Sequence, residues 1–295
     1  MKPLKMFDPH IHMTSRSTDD YQAMAASGIT AIVEPAFWVG QPRTHVGSFE
    51  DYFLSLIGWE RFRASQFGIK HFCTMGMNPK EANQQELADG VLELLPRYLE
   101  KDGVVAVGEI GYDDMTAAED RVFRRQIQMA MDAGLPILIH TPHRDKKRGT
   151  ERTIAVVKEM GIAPELVLID HNTEETLPLT LDSGCWAGHS IYPATKMDEV
   201  RMVQIVQQYG SERIIINSAA DWGVSDPLKV PKTAALMLAS GISEQAIETI
   251  VWGNPAAFFA QSGRLDGIEA PSVIDQRKLW EGNSVLRGQA PLVQG

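Results

Sequence analysis

Cysteine is almost missing from this chain: Cys73 and Cys185 are the only two in 295 residues. They lie far apart, each in an apolar run, so the sequence predicts buried free thiols in a reducing cytoplasm and no disulfide framework. An excess of positive charge is missing too. The chain has 28 Lys+Arg against 38 Asp+Glu, a formal net charge of -10. That argues against a strongly electrostatic nucleic-acid binder, because phosphate binding relies on neutralisation by Lys and Arg. It leaves room for a metal site that binds one phosphate locally. No window approaches 18 uninterrupted apolar residues, and no basic stretch with an apolar segment and cleavage site opens the chain. The expectation is a cytoplasmic protein without a membrane span. Internal repeats, low-complexity stretches and a GxGxxG after the first apolar run are also lacking, and the last of these weakens an open dinucleotide-binding sheet.

What is present is a regular alternation. Apolar, β-branched runs begin near Leu4, Ile29, Ile69, Val104, Pro136, Leu166, Cys185 and Arg213, spaced about 30 residues apart on average. Amphipathic segments fall between them, at 20–27, 49–67, 85–99, 118–133, 150–160, 197–209 and 228–240. Continuous apolar strands alternating with helices imply a parallel sheet covered by helices. Eight such units predict an α/β fold, a closed (β/α)8 TIM barrel, and 44% apolar content suffices for one large core. The barrel is expected to span residues 1–262, with Trp252–Phe259 as a loop and short closing helix. A C-terminal extension, 263–295, is expected to pack on the barrel or a partner subunit, since Ile274, Leu279, Trp280, Val285 and Leu286 are costly to leave in water. Phe37–Gly47, long and rich in aromatics, reads as a loop on the active face.

The polar residues fall where such a barrel places its chemistry. His10 and His12 form an HxH at the end of the first run. In a strand, residues i and i+2 share a face, so Asp8, His10 and His12 are expected to point the same way. Glu109 ends the fourth run, His140 the fifth and His171 the sixth, while Asp221 follows the eighth. All lie at C-terminal strand ends, the active face of barrel enzymes. Four histidines and two carboxylates there make a mixed nitrogen and oxygen site for one or two divalent ions, with Zn, Mn, Mg and Fe all compatible.

On these residues the chain resembles the TatD-like hydrolases of the amidohydrolase superfamily. The matching motifs are His10-Ile11-His12, Gly108-Glu109-Ile110-Gly111 with Asp113 after it, Phe123–His140, His171, Asp221 and Asn254-Pro255-Ala256-Ala257-Phe258. The resemblance runs from about Met6 to Ala260. It implies a binuclear metal centre in which His10, His12 and Asp221 hold one ion, His140 and His171 the other, and Glu109 bridges them. Asp221 is then the candidate general base, alongside a pure ligand or helix N-cap role before Ser225-Asp226-Pro227. Two departures stand out. The last strand reads Ala219-Ala220-Asp221-Trp222-Gly223 where Glu-Thr-Asp-x-Pro is common, and His171-Asn172-Thr173 replaces His-Cys-Phe. The ligands persist while their neighbours change, which puts the usual nuclease activity in doubt.

The expected activity is therefore a metal-dependent hydrolase using a two-metal-activated water. It would act on a phosphoester, with deoxyribonuclease action included, or alternatively on a small-molecule ester, lactone or amide. A barrel binding metal or ligand without turnover is the third reading. Nucleic acid is a partner that the charge does not favour, and a homo-oligomer is left open. His143, His189, Trp222 and Arg144 are candidate substrate contacts. Arg144 belongs to a basic cluster with Lys146, Lys147 and Arg148, either a mouth loop that attracts an anion or a solvated helix entry. Trp38, Trp186 and Trp222 are candidates for an apolar pocket wall. Glu34, a charge inside an apolar strand, needs a partner, and Arg43 is the one the sequence offers.

Overall fold

The computed structural model describes residues 4–193, 195–265 and 267–269. Eight parallel strands run in sequence order around a nearly closed barrel. They are β1 (Met6–Asp8), β2 (Ile29–Pro35), β3 (Lys70–Met75), β4 (Val104–Gly111), β5 (Ile137–His140), β6 (Val167–Ile169), β7 (Trp186–Ser190) and β8 (Ile214–Asn217). All eight expected runs are strands. The helices form the outer layer: α1 (Thr18–Ala26), α2 (Val46–Leu54), α3 (Arg61–Ser65), α4 (Gln85–Leu94), α5 (Pro96–Leu99), α6 (Ala117–Ala133) and α7 (Lys146–Met160). They continue as α8 (Leu177–Asp182), α9 (Glu199–Tyr209), α10 (Lys229–Ala239), α11 (Glu244–Glu248) and α12 (Asn254–Ala260). No helix among the described residues is long and apolar enough to cross a membrane.

The strands are buried on both faces, which explains their near-continuous apolar character. Inward side chains such as Phe7, Val33, Phe72, Leu138, Leu168 and Ile215 form one cluster, with Phe258 and Phe259 of α12 plugging its lower end. Outward side chains pack against the helices in two further clusters. Local chemistry sets the helix ends. Thr116 caps α6 by accepting from the Glu119 amide at 3.1 Å, and Gly134 ends that helix with φ +63. Where the sequence predicts a helix from Thr150, α7 begins at Lys146. Lys146, Lys147 and Arg148 are therefore its first turn, and only Arg144 and Asp145 of that stretch precede it.

The barrel seam closes beyond the ends of β1 and β8. The Ala219 amide donates to the His10 carbonyl at 2.8 Å, and the His12 amide to the Ala220 carbonyl at 2.9 Å. The segment that carries HxH thus completes the sheet at its C-terminal face. Beyond α12, Leu265 joins the interior cluster and Arg264 donates to the Leu99 and Val104 carbonyls. The expected packing of residues 270–295 lies outside the described residues. Cys73 and Cys185 are buried free thiols.

Candidate metal centre

At the mouth, ligand atoms face one another. The Nε2 atoms of His10 and His12 are 3.0 Å apart, and His10 Nε2 is 3.7 Å from Glu109 Oε1. The same Glu109 oxygen is 2.9 Å from His140 Nδ1 and 3.1 Å from His171 Nε2, and those two nitrogens are 3.1 Å from each other. Glu109 thereby belongs to two groups, His10–His12–Glu109 and Glu109–His140–His171. A third group is His10, Asp170 and His171. All six side chains are buried, none more than 5% exposed.

A second ring of contacts orients these ligands. Asp170 Oδ2 lies 2.5 Å from His10 Nδ1, so that nitrogen carries the proton and Nε2 presents its lone pair to the centre. The Ser190 hydroxyl does the same at His171 Nδ1, 2.6 Å away. Asn78 Nδ2 donates to Glu109 Oε2 at 2.9 Å, and Asn217 Nδ2 to both Asp170 oxygens at 3.0 and 3.1 Å. Gly188 is the neighbour that makes room: a Cβ there would come within 2.4 Å of Asp170 Oδ1. His171 has φ +62, an uncommon backbone for a ligand, fixed by its amide donating to Asp170 Oδ1 at 2.7 Å.

The electrostatics suit a cation. Burial, then the charge of His10, pushes His12 well below the usual imidazole range; burial, then Lys196, does so for His171. Both rings are neutral with lone pairs available at neutral pH. Burial works to raise Glu109, but the charges of His140 and His10 and the imidazole hydrogen bonds outweigh it and hold the carboxyl well below its usual value. Burial opposes a proton on His10, but Asp170 and Glu109 outweigh it and raise that ring, so a divalent ion bound there would replace a proton crowded among further imidazoles. The residues fit such a group, with imidazole and carboxylate ligands suited to zinc, manganese or iron.

The other expected site residues divide. Asp221 joins none of the three ligand groups among the described residues. Its Oδ1 accepts from the Tyr192 hydroxyl at 3.1 Å and the Gly223 amide at 2.8 Å. His143 sits exposed at the rim, its ring 5.6 Å from that of His140. Trp222 is 45% exposed and stacks on Phe37, 4.9 Å between centroids, and Phe37 stacks on His12 at 3.5 Å. Trp38 meets Trp222 edge-on, so an aromatic column leads from a ligand to the surface. The loop tip closes on it at Gly40, whose Cβ would lie 2.8 Å from the Trp222 ring.

Several expectations are corrected. His189 does not face the centre: its neighbours Gly188 and Ser190 do, and strand alternation turns it toward the helix layer, buried, with no hydrogen-bond partner for its ring nitrogens among the described residues. Arg144 points into solvent, 3.9 Å from Asp114. Trp186 starts β7 at the far end, donating to the Glu165 carbonyl and packing on Phe258. Glu34 takes His71 Nε2 at 2.9 Å and the Thr14 amide at 2.7 Å, while Arg43 pairs with Glu81 and pins the Phe37–Gly47 loop through the Phe37 carbonyl. Asp8 accepts from the His10 and Ser218 amides and leaves the His10 ring to Asp170. Sequence reasoning missed Asp170, Asn78, Ser190 and Lys196. Only Asp170, adjacent to a strand-end histidine, carried a local signal.

A barrel with this cluster at the C-terminal ends of its strands is a metal-dependent hydrolase. The chain belongs to the family described as TatD related DNase, whose profile matches residues 7–260. It is 29% identical over 257 residues to an uncharacterized metal-dependent hydrolase of Methanocaldococcus jannaschii, covering 86% of this chain and 99% of that protein. It is also 29% identical over 163 residues to a putative deoxyribonuclease of Danio rerio, covering 52% of this chain and 56% of the relative. The crystal structure of a TatD-like protein from Archaeoglobus fulgidus superposes with a TM-score of 0.71 at 26% identity, over 86% of this chain and 99% of that one. A phosphotriesterase homology protein from Escherichia coli, at 14% identity and TM-score 0.65, shares the fold; the match covers 88% of this chain and 100% of that one.

Proposed function

We propose that this chain hydrolyses a phosphoester with a water activated between two divalent ions. His10 and His12 would hold one ion, His140 and His171 the other, and Glu109 would bridge. The observation that carries this reading is the single Glu109 oxygen facing three histidines from both groups. Bound there, the ions would lower the pKa of the water and polarise the bond to be cleaved. Asp170 and Ser190 keep His10 and His171 in the tautomer that presents Nε2. Asp221 acts as general base: Tyr192 and Gly223 fix its Oδ1, and Oδ2, which has no hydrogen-bond partner among the described residues, takes the proton. The relatives named for deoxyribonuclease activity support a phosphoester substrate.

A second reading, a small-molecule ester, lactone or amide, is favoured by the aromatic column of Phe37, Trp222 and Trp38. It walls one side of the mouth where a polynucleotide needs an open basic groove. Elemental analysis coupled to a substrate panel separates them. The panel holds single-stranded DNA, simple phosphodiesters, lactones and N-acyl amides. Metal-dependent cleavage of the phosphodiesters, lost on chelation, is expected. Turnover of lactones or amides alone would transfer the assignment to the second reading, and a metal-free protein inert on the whole panel would end both.

A further inference from the structure

Two lysines approach the ligand cluster from different loops, and neither makes an ion pair among the described residues. Lys196 follows β7. Its amide donates to the Tyr192 carbonyl at 2.8 Å and its carbonyl accepts from Arg201 at 2.8 Å, so its backbone is pinned. The side chain passes the Tyr192 ring and brings Nζ to 3.5 Å from His171 Nε2. Lys146 opens α7 on the other side. It is half-buried and turns its Nζ onto Thr141, the residue after His140, at 3.1 Å from Oγ1. The Thr141 hydroxyl donates to the Asp170 carbonyl at 2.8 Å, one residue before His171, so the two amines flank the His140–His171 pair.

Two of their neighbours have carboxylate partners. Arg148 lies 3.5 Å from Asp145 and Arg144 3.9 Å from Asp114, and both are exposed. Lys147, exposed, also makes no ion pair among the described residues, so the positive charge left over at the mouth is local, three amines wide, unlike the basic track that follows a polynucleotide. Glu109, Asp170 and Asp221 attract Lys196; divalent ions at the same carboxylates would compete for that negative charge and leave the amines to an added anion.

We propose that Lys146 and Lys196 form an anion clamp next to the metal centre, and that the substrate carries a phosphate or carboxylate group held by both amines. This rests on the hydrolytic reading of the same centre and narrows its substrate to a compact anionic molecule. The amines grip that group while Phe37, Trp38 and Trp222 line the opposite wall.

The test is calorimetric titration of the full, metal-loaded chain with inorganic phosphate and, in a separate arm, with acetate, with metal content measured on every sample. Lys146→Met and Lys196→Met are each expected to weaken binding about tenfold, equivalent to about 1.4 kcal/mol. Lys146→Arg should retain most of it, and Lys147→Met, one residue away and exposed, should change nothing. Loss in the phosphate arm alone assigns a phosphorylated substrate; loss in the acetate arm alone assigns a carboxylate. Unchanged affinity for both anions in both methionine variants overturns the clamp, as does loss of binding that only follows loss of metal. A wild-type chain without bound metal would defeat the hydrolytic reading instead, and the lysine variants would still judge the clamp.

Discussion

Two places in this molecule bury histidine beside carboxylate, and they are built on opposite rules. Between strands and helices, Glu34 Oε2 lies 2.9 Å from His71 Nε2 and its Oε1 accepts from the Thr14 amide, while Glu60 accepts from Tyr21 at 3.1 Å and from Arg63 at 2.8 Å. Every carboxylate oxygen there has a hydrogen-bond partner, as buried polar groups in a stable layer require. At the barrel mouth, imidazole nitrogens face one another. His10 Nε2 meets His12 Nε2, and His140 Nδ1 and His171 Nε2 meet over one oxygen of Glu109. The outer cluster pairs each carboxylate oxygen, although His71 Nδ1 and Thr14 Oγ1 have no partner among the described residues; the mouth gathers three imidazoles on one oxygen of Glu109. Burial alone does not distinguish them, since Glu34 and Glu109 are both buried. What distinguishes them is how many imidazoles crowd one carboxylate, one at Glu34 and three at Glu109.

That contrast can be sharpened by substitution. The largest effect is expected at Asp221: Asp221→Asn keeps most of the bound metal and lowers kcat by about 10²–10⁴-fold, the usual worth of a positioned base. Normal turnover in that variant would remove Asp221 from the chemistry. Next comes Asp170→Asn, which disturbs the tautomer of His10 and is expected to weaken metal affinity about 10–100-fold, read by competition with a chelator. An unchanged affinity would mean that His10 needs no orienting carboxylate. The smallest effect belongs to the outer cluster. Burial raises the Glu34 carboxyl from 4.5 to about 8, so the folded state holds a proton that the unfolded chain releases. Its contribution to stability is then complete below the unfolded pKa and is lost as pH rises toward 8. The slope is at most about 1.4 kcal/mol per pH unit. Glu34→Gln should flatten that fall between pH 5 and 8 in denaturant melts and leave metal content untouched. An identical pH profile would show that Glu34 titrates normally.

The frame of the barrel was legible because its strands are short apolar, β-branched runs separated by helix-period segments. Short-range signals located every strand within two residues of its observed start. The candidate ligand histidines were legible for a related reason: His140 ends β5, and His10, His12 and His171 follow β1 and β6 within four residues, where the fold gathers them. What the sequence hid is long-range. Asp170 serves His10 from 160 positions away, and Lys196 is a single charge in a loop that only the folded chain brings to His171. Glu34 illustrates the same limit. Arg43 is its nearest cation in sequence within the loop, yet strand pairing sets His71 beside it and gives Arg43 to Glu81. His189 shows that a strand-end histidine is a ligand only on the inward face, and one position of alternation decides it.

The central claim is that the mouth is a metal centre bridged by Glu109, and the outer cluster is not. Elemental analysis of purified wild-type protein, Glu109→Ala and His71→Ala tests it most directly. The account predicts divalent metal in the wild type, loss of most of it in Glu109→Ala, and wild-type content in whatever folded His71→Ala protein is recovered. A full metal complement in Glu109→Ala would contradict it.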